Sequence, residues 1–339
     1  MMQIFFIFVA SYSFVMIGIE KIKRPIASEL EIFDRQFKQT IKSDVFLLNL
    51  ITRYVLKTKG KQIRPVLVLL SAKLFGEIGQ KTYTAASLVE LLHTTSLVHD
   101  DVVDDANERR GTFSIYALWK SKTSVLFGDY LLAQGLLLSV DNEAYDLLRI
   151  VSVAVKEMCE GELLQLQHSR KQDMTREAYF RVIHKKTAAL ISACTEAGAQ
   201  SGGATPEQLE QMRQFGVYLG LIFQIKDDLF DYQPHGITGK PTGNDIKEKK
   251  FTLPLIYALQ QASNTEKKQI LRLINSSTSE SQKLETIIRF VDEKGGLDHC
   301  RATMDELAQK AFAIIDSFPP NDAAAALKEI VEYVMKRQS

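Results

Sequence analysis

Two segments of this chain repeat one acidic pattern at the end of a long apolar run, and that repetition limits what the chain folds into and what it binds. They are His99-Asp-Asp-Val-Val-Asp-Asp-Ala-Asn-Glu-Arg-Arg110 and Gln224-Ile-Lys-Asp-Asp-Leu-Phe-Asp231, each containing Asp-Asp-x-x-Asp. Ahead of the first, Ala85, Leu88, Leu91, Leu92, Thr95 and Val98 recur at helical spacing. On an α-helix residues i and i+4 lie above one another, so Asp100 and Asp104 point the same way, as do Asp227 and Asp231. Uncompensated carboxylates this close cost a few tenths of a kcal/mol per pair. A divalent cation removes that penalty, and Mg²⁺ binds through one or two carboxylates plus substrate phosphates. The pattern predicts two helices facing each other across one metal-bridged diphosphate.

A single acidic run at the end of an apolar helix is ordinarily a solvated face. Two copies with the same spacing change that reading, with Arg109 and Arg110 one turn beyond the first and Lys226 inside the second. Arginine forks take phosphate oxygens bidentately. Carboxylates for a metal beside arginines for phosphate are what a magnesium diphosphate requires.

The rest of the chain excludes several classes. With 42 basic and 41 acidic residues there is no global field to attract nucleic acid. Cys159, Cys194 and Cys300 are scattered, without metal spacing or a disulfide framework, which suits a reducing cytoplasm. Residues 1–19 carry no charge and are followed by Lys21, Lys23 and Arg24. Their length is near the roughly 20 residues of a membrane helix, and the basic residues after them would keep the remainder cytoplasmic. No basic leader or clear cleavage site marks a secretory signal. Three readings stay open for this segment: a mis-assigned start ahead of Met16, an anchor, or an ordinary buried helix.

Residues 20–339 read as one all-α domain, a helical bundle around a central cavity. Helices are expected over Leu30–Phe46, Ile63–Leu74, Lys81–Asp105, Val125–Val140, Tyr145–Gln167, Arg176–Ser201, Pro206–Tyr232 and Phe251–Ala262, with more towards the C-terminus. Helix formers dominate, and no segment alternates convincingly with period two. Gln233–Lys250, rich in glycine and charge, reads as an active-site loop.

Further motifs are unremarkable singly. Lys61 and Arg64 precede a helix, where an anion is favoured. His93 lies two turns before Asp100, where a lone histidine is usually a core residue but can also donate to an anion. Lys186 and Thr187 sit mid-helix, and Lys240 and Lys250 sit in the glycine-rich loop.

In combination they are specific. Gly60-Lys-x-x-Arg-Pro65, Leu92-His93, Asp100-Asp-x-x-Asp104, Arg109-Arg110-Gly111, Gly161-Glu162, Lys186-Thr187, Phe223-Gln224-x-x-Asp227-Asp-x-x-Asp231, Gly239-Lys240 and Thr252-Leu253-Pro254 follow one another in the order of the trans-isoprenyl diphosphate synthases, the polyprenyl synthetase family, which the chain resembles from about Lys59 to Pro254. The resemblance implies an isoprenoid-synthase fold around an elongation cavity, and usually a homodimer. It assigns Lys61, Arg64, His93 and Arg110 to isopentenyl diphosphate. Arg109, Lys186, Thr187, Gln224 and Lys240 fall to the allylic diphosphate, with Lys250 a further candidate ligand. Asp100, Asp104, Asp227 and Asp231 would hold Mg²⁺, normally three ions, with Asp101 and Asp228 beside them. Lys59 and Lys249 replace residues that are commonly glycine in the family, and neither is a proposed ligand.

The chemistry implied is ionisation, condensation and elimination. Mg²⁺, Arg109 and Lys240 would stabilise charge developing on a departing pyrophosphate. The allylic cation needs an apolar pocket that excludes water. No side chain is an obvious general base, so the released pyrophosphate is the expected proton acceptor. In the family an aromatic residue four or five positions before the first Asp shortens the product; here those positions are Thr95 and Ser96, with Leu92 one turn further. Each isoprene unit extends the chain by roughly 4–5 Å, about three residues of helix rise, so an open floor at Thr95 and Ser96 predicts a product of about forty to fifty carbons, of the kind used for quinone side chains.

The alternatives are a short-chain (farnesyl or geranylgeranyl) synthase and a non-catalytic subunit of a heteromeric synthase. The latter would be expected to lack one motif, and none is missing. A phosphohydrolase using His93, His99 and Asp100 leaves the second cluster unexplained, and the six histidines are too scattered for its metal cage. A terpene cyclase has no use for Lys61, Arg64 and His93. Localisation is expected to be cytoplasmic, with peripheral or N-terminal membrane association left open.

Overall fold

The apolar runs fold as helices. The computed structural model describes residues 18–58, 60–109, 111–171, 173–232, 243–276 and 279–337. A helix over 18–23 and a 3₁₀ turn at Arg24–Ile26 lead into α1 (Ala27–Thr40), α2 (Phe46–Lys57), α3 (Ile63–Phe75) and α4 (Gln80–Val103). A hairpin of β1 (Glu108–Arg109) and β2 (Thr112–Phe113) precedes α5 (Ile115–Asp141) and α6 (Tyr145–Lys171). Then come α7 (Arg176–Ile183), a π turn at His184–Ala188, α8 (Ala189–Ser201) and α9 (Pro206–Phe230). The series ends with α10 (Asn244–Lys247), α11 (Leu253–Gln261), α12 (Asn264–Asn275), α13 (Glu280–Glu293), α14 (Gly296–Asp316) and α15 (Asp322–Lys336).

The boundaries depart from expectation where side chains rather than periodicity decide. The run expected as one helix over Leu30–Phe46 breaks at Lys42–Val45. There the Ser43 hydroxyl accepts from the Val45 amide, and the Asn49 side chain accepts from the Ser43 amide. α2 then begins at Phe46. α5 starts ten residues earlier than expected because Ser114 caps it, accepting from the Ala117 amide, and a kink at Lys120 (φ 65°) separates its first turn from the apolar run. The expected residues 1–17 of the apolar N-terminal segment and Lys59, Arg110 and Lys240 lie outside the described residues. Its last part is helical, and Ile19 is buried with Ile22 and Ile26.

By compactness the chain divides into two units, each assembled from separate stretches. The first comprises residues up to Val155, Leu190–Arg213 and Phe318–Leu327; the second comprises Lys156–Ala189, Gln214–Ser317 and the residues from Lys328 on. In the first, α3 is the central rod: Val66 to Leu70 are wholly buried. It lies so close to α8 that a Cβ on Gly198 would stand 2.3 Å from the Val68 carbonyl, and one on Gly202 2.4 Å from that of Ala72. Two glycines one turn apart therefore set the helix spacing. α4 packs along α5, with Thr95 donating to the Gly128 carbonyl at 3.3 Å. In the second unit, α11, α13 and α14 pack together, and α14 starts with Gly296 against the Pro254 carbonyl.

Candidate active site

The first aspartate motif closes α4. Asp100 and Asp104 are exposed and one turn apart, the Asp104 amide donating to the Asp100 carbonyl at 2.8 Å. Asp101 turns inward. Its side chain is 3 % exposed and accepts from Arg109 Nε at 2.6 Å. Burial raises the Asp101 pKa, while the Arg109 guanidinium works against that rise. The hairpin exists to deliver this arginine, since Arg109 sits on β1 opposite Thr112.

Asp101 and Arg109 line a hollow open to solvent, together with Tyr54, Glu90, His93, Leu97 and Phe113. Three sequence-predicted site residues thus meet on one face of α4. Leu92, Thr95 and Ser96 are not among its lining residues; Thr95 faces α5, and the Ser96 hydroxyl folds back to the His93 carbonyl at 2.9 Å. Lys61 and Arg64 are also not among them. Lys61 is exposed just before α3, Arg64 lies in its first turn, and Gln62 between them takes a left-handed conformation (φ 57°) and donates to Asp34 at 2.9 Å.

The second motif ends α9, and its three carboxylates have three different environments. Asp227, 39 % exposed, accepts from Arg337 Nη2 at 2.6 Å. Asp228 is buried, accepting from the Tyr179 hydroxyl at 2.6 Å and the Gln224 amide at 2.8 Å. Burial, with the charge of Asp245 in second place, holds its pKa well above the usual carboxylate range against those hydrogen bonds. Asp231 accepts from the Asp245 amide at 2.6 Å and so caps the start of α10. Burial raises its pKa and the amides of residues 243–245 oppose the rise.

The π turn completes this region. Wide turns of this kind insert one residue into an α-helix and recur at functional sites. Here the turn carries Lys186 and Thr187. Lys186 meets Glu162 at 2.5 Å and Gln165 at 2.7 Å, and Thr187 donates to Gln224 Oε1 at 2.7 Å. A continuous relay therefore runs Thr187–Gln224–Asp228–Tyr179. Gly220 makes room for it, since a Cβ there would lie 2.5 Å from Ala188 Cα. Lys250 is paired with Glu248.

Asp101 and Asp228, the further candidate metal ligands of the two motifs, differ from their neighbours in environment. Both are buried and engaged, Asp101 by a guanidinium and Asp228 by a phenol and an amide. Asp100, Asp104 and Asp227 suit a hard cation: exposed or half-exposed carboxylates, spaced one turn apart in the first motif. Among the described residues no three potential ligands already form a group, so Mg²⁺ here would complete its shell with water and substrate oxygens. Sequence reasoning missed Tyr179, Asp245 and Arg337. Asp245 is pushed up to about 6 by burial and the charge of Asp231.

The Polyprenyl synthetase family model matches residues 46–291. The all-trans-nonaprenyl-diphosphate synthase (geranyl-diphosphate specific) of Rhodobacter capsulatus is 36% identical over 320 residues, 94% of this chain and 98% of that protein. The structure of a polyprenyl synthase from Caulobacter crescentus CB15, complexed with calcium and isoprenyl diphosphate, superposes with a TM-score of 0.86 at 31% identity, covering 95% of this chain and 98% of that one. A geranylgeranyl pyrophosphate synthase from Bacteroides thetaiotaomicron is 39% identical with a TM-score of 0.80, covering 94% and 99%. An all-α fold with these motifs is that of the isoprenoid synthases. The chain belongs to the polyprenyl synthetase family and is a trans-prenyltransferase, a polyprenyl diphosphate synthase.

Proposed function

We propose that this enzyme condenses isopentenyl diphosphate with an allylic diphosphate until the product is a long all-trans polyprenyl diphosphate, of the kind that supplies quinone side chains. The observation that carries the length is on α4: from Thr84 to His99, the four turns before the first motif, there is no Phe, Tyr or Trp to stop a growing chain. The nonaprenyl synthase among the relatives agrees with it.

In this reading Asp100, Asp104 and Asp227 would hold Mg²⁺, with Asp231 beside them, and the ion would supply positive charge to the leaving diphosphate. Calcium in the Caulobacter structure supports a divalent-cation site of this type. Arg109, Lys186, Lys240 and Lys250 bind the allylic diphosphate and stabilise the charge it gains on leaving. Thr187 and Gln224, tied together, orient on the same group. Lys61, Arg64, His93 and Arg110 take isopentenyl diphosphate. Its double bond attacks the allylic cation and the departing pyrophosphate accepts the proton. The enzyme works in the cytoplasm as a homodimer. Support for the dimer comes from Leu126, Leu136, Leu137, Val140 and Val153, large apolar side chains left exposed on α5 and α6. α5 is also long and apolar enough to cross a membrane, but it packs along α4, and an exposed stripe of this kind is what a helix–helix interface buries.

The test is product sizing. Enzyme, Mg²⁺, labelled isopentenyl diphosphate and farnesyl diphosphate are incubated, and the extracted lipids are resolved by chromatography. Octaprenyl or longer products support the proposal. A stop at geranylgeranyl length favours the short-chain reading, to which the Bacteroides structure points. No incorporation rejects both in favour of a partner subunit.

A further inference from the structure

Arg337, just beyond the end of α15, is tightly held. Its side chain is 10 % exposed. Nη2 donates both to the Phe223 carbonyl at 2.9 Å and to Asp227 Oδ1 at 2.6 Å. The guanidinium lies over the Phe223 ring at 4.0 Å and over the Phe230 ring at 5.3 Å. Those four partners sit at 223, 227 and 230 on a single face of α9. Lys226, the cation nearest in sequence, rests instead on the Phe230 ring at 5.5 Å.

We propose that Arg337 is a positioning residue for Asp227, holding one carboxylate oxygen so that the group is presented to a divalent cation in a single orientation. This inference rests on the reading of Asp227 as a metal ligand. The guanidinium is anchored independently of the carboxylate. Its bond to the Phe223 carbonyl and its two ring contacts do not involve the carboxylate, so it stays in place whether or not Asp227 binds a metal. A counter-ion that merely substitutes for the metal would be held by the carboxylate alone. Groups that fix a ligating carboxylate in this way typically account for a tenfold to hundredfold difference in metal affinity. Lysine cannot replace the arginine fully, because a single ammonium cannot stack on a ring and serve two acceptors as a planar fork does.

The experiment is a titration of the full-length enzyme with Mn²⁺ alone, followed by the electron paramagnetic resonance signal of free Mn²⁺, alongside the Mg²⁺ concentration giving half-maximal turnover. The variants are Arg337→Gln, Arg337→Lys, Asp227→Asn and the Arg337→Gln/Asp227→Asn double variant. Arg337→Gln is expected to weaken Mn²⁺ binding and to raise the half-maximal Mg²⁺ concentration by about tenfold, with kcat largely restored at saturating Mg²⁺. Arg337→Lys should recover part of the affinity. In the Asp227→Asn background, Arg337→Gln should have no further effect. If Asp227→Asn weakens Mn²⁺ binding but Arg337→Gln leaves it unchanged or tightens it, the positioning role is overturned and the metal site stands. If Asp227→Asn itself changes nothing, the metal assignment falls and this inference with it. Should Arg337→Gln fail to fold by circular dichroism, Arg337→Lys carries the same comparison, and an affinity equal to wild type overturns the proposal.

Discussion

Single side chains divide the site's work in ways that can be measured separately. Asp100→Ala and Asp227→Ala should each lower turnover by several orders of magnitude while circular dichroism stays helical; retained turnover would refute the metal assignment. Lys61→Ala should raise the KM for isopentenyl diphosphate much more than that for the allylic substrate, and an equal rise in both would reverse the site assignment. Asp245 gives a pH test. Burial lifts it to about 6, so the folded protein keeps a proton that the unfolded chain has released above about 4. Its contribution to stability is complete below the unfolded value and is lost as pH rises to about 6. Denaturant melts without metal should therefore show wild type losing stability relative to Asp245→Asn across that window. The motif aspartates were legible in the sequence because their repeat and spacing are local. Tyr179, Asp245 and Arg337 were not, because each stands alone in sequence and acquires its role only from what the fold sets beside it. Even within the motifs, spacing did not show that Asp101 and Asp228 turn inward; that depends on Arg109, Tyr179 and Gln224.

At the scale of elements, the helices read from apolar periodicity recur in the structure, but their ends and irregularities follow hydrogen bonds that periodicity does not carry. The Ser43 break, the Ser114 cap and the short hairpin belong to that group. α12 shows the energetic side: Ser263 caps it and Glu266 returns the bond, a reciprocal capping box. Ser263→Ala should cost about 1 kcal/mol in equilibrium unfolding. The glycine seam between α3 and α8 is less forgiving. Gly198→Ala places a Cβ against backbone, not against a pliable side chain, and should cost about 3 kcal/mol. Neither change touches a site residue, so activity per folded molecule should be unaltered. The π turn is the opposite case. Deleting one residue between His184 and Ala188 would restore regular α-helical bonding and yet rotate Lys186 and Thr187 out of register, leaving a folded protein without turnover.

For the whole molecule, product length is the property to alter. Ser96→Phe should shorten the product if the growing chain passes this side of α4, and Leu97→Phe should shorten it instead if the chain follows the hollow lined by His93 and Leu97. Deleting residues 1–17 should move the enzyme from membrane to soluble fractions only if that segment is an anchor. The composition of the two units reaches further, into how the chain comes to be folded at all. The first unit is not complete in its first 155 residues: Phe318 stacks edge-on against Phe75 at 5.0 Å, and Asn321, which caps α15, donates to the Leu74 carbonyl. The end of α3 therefore finds this cover only after residue 321 has been synthesised. Until then Leu74 and Phe75 lack that cover in the nascent chain, so the closing of the first unit over the end of α3 is a late event in folding.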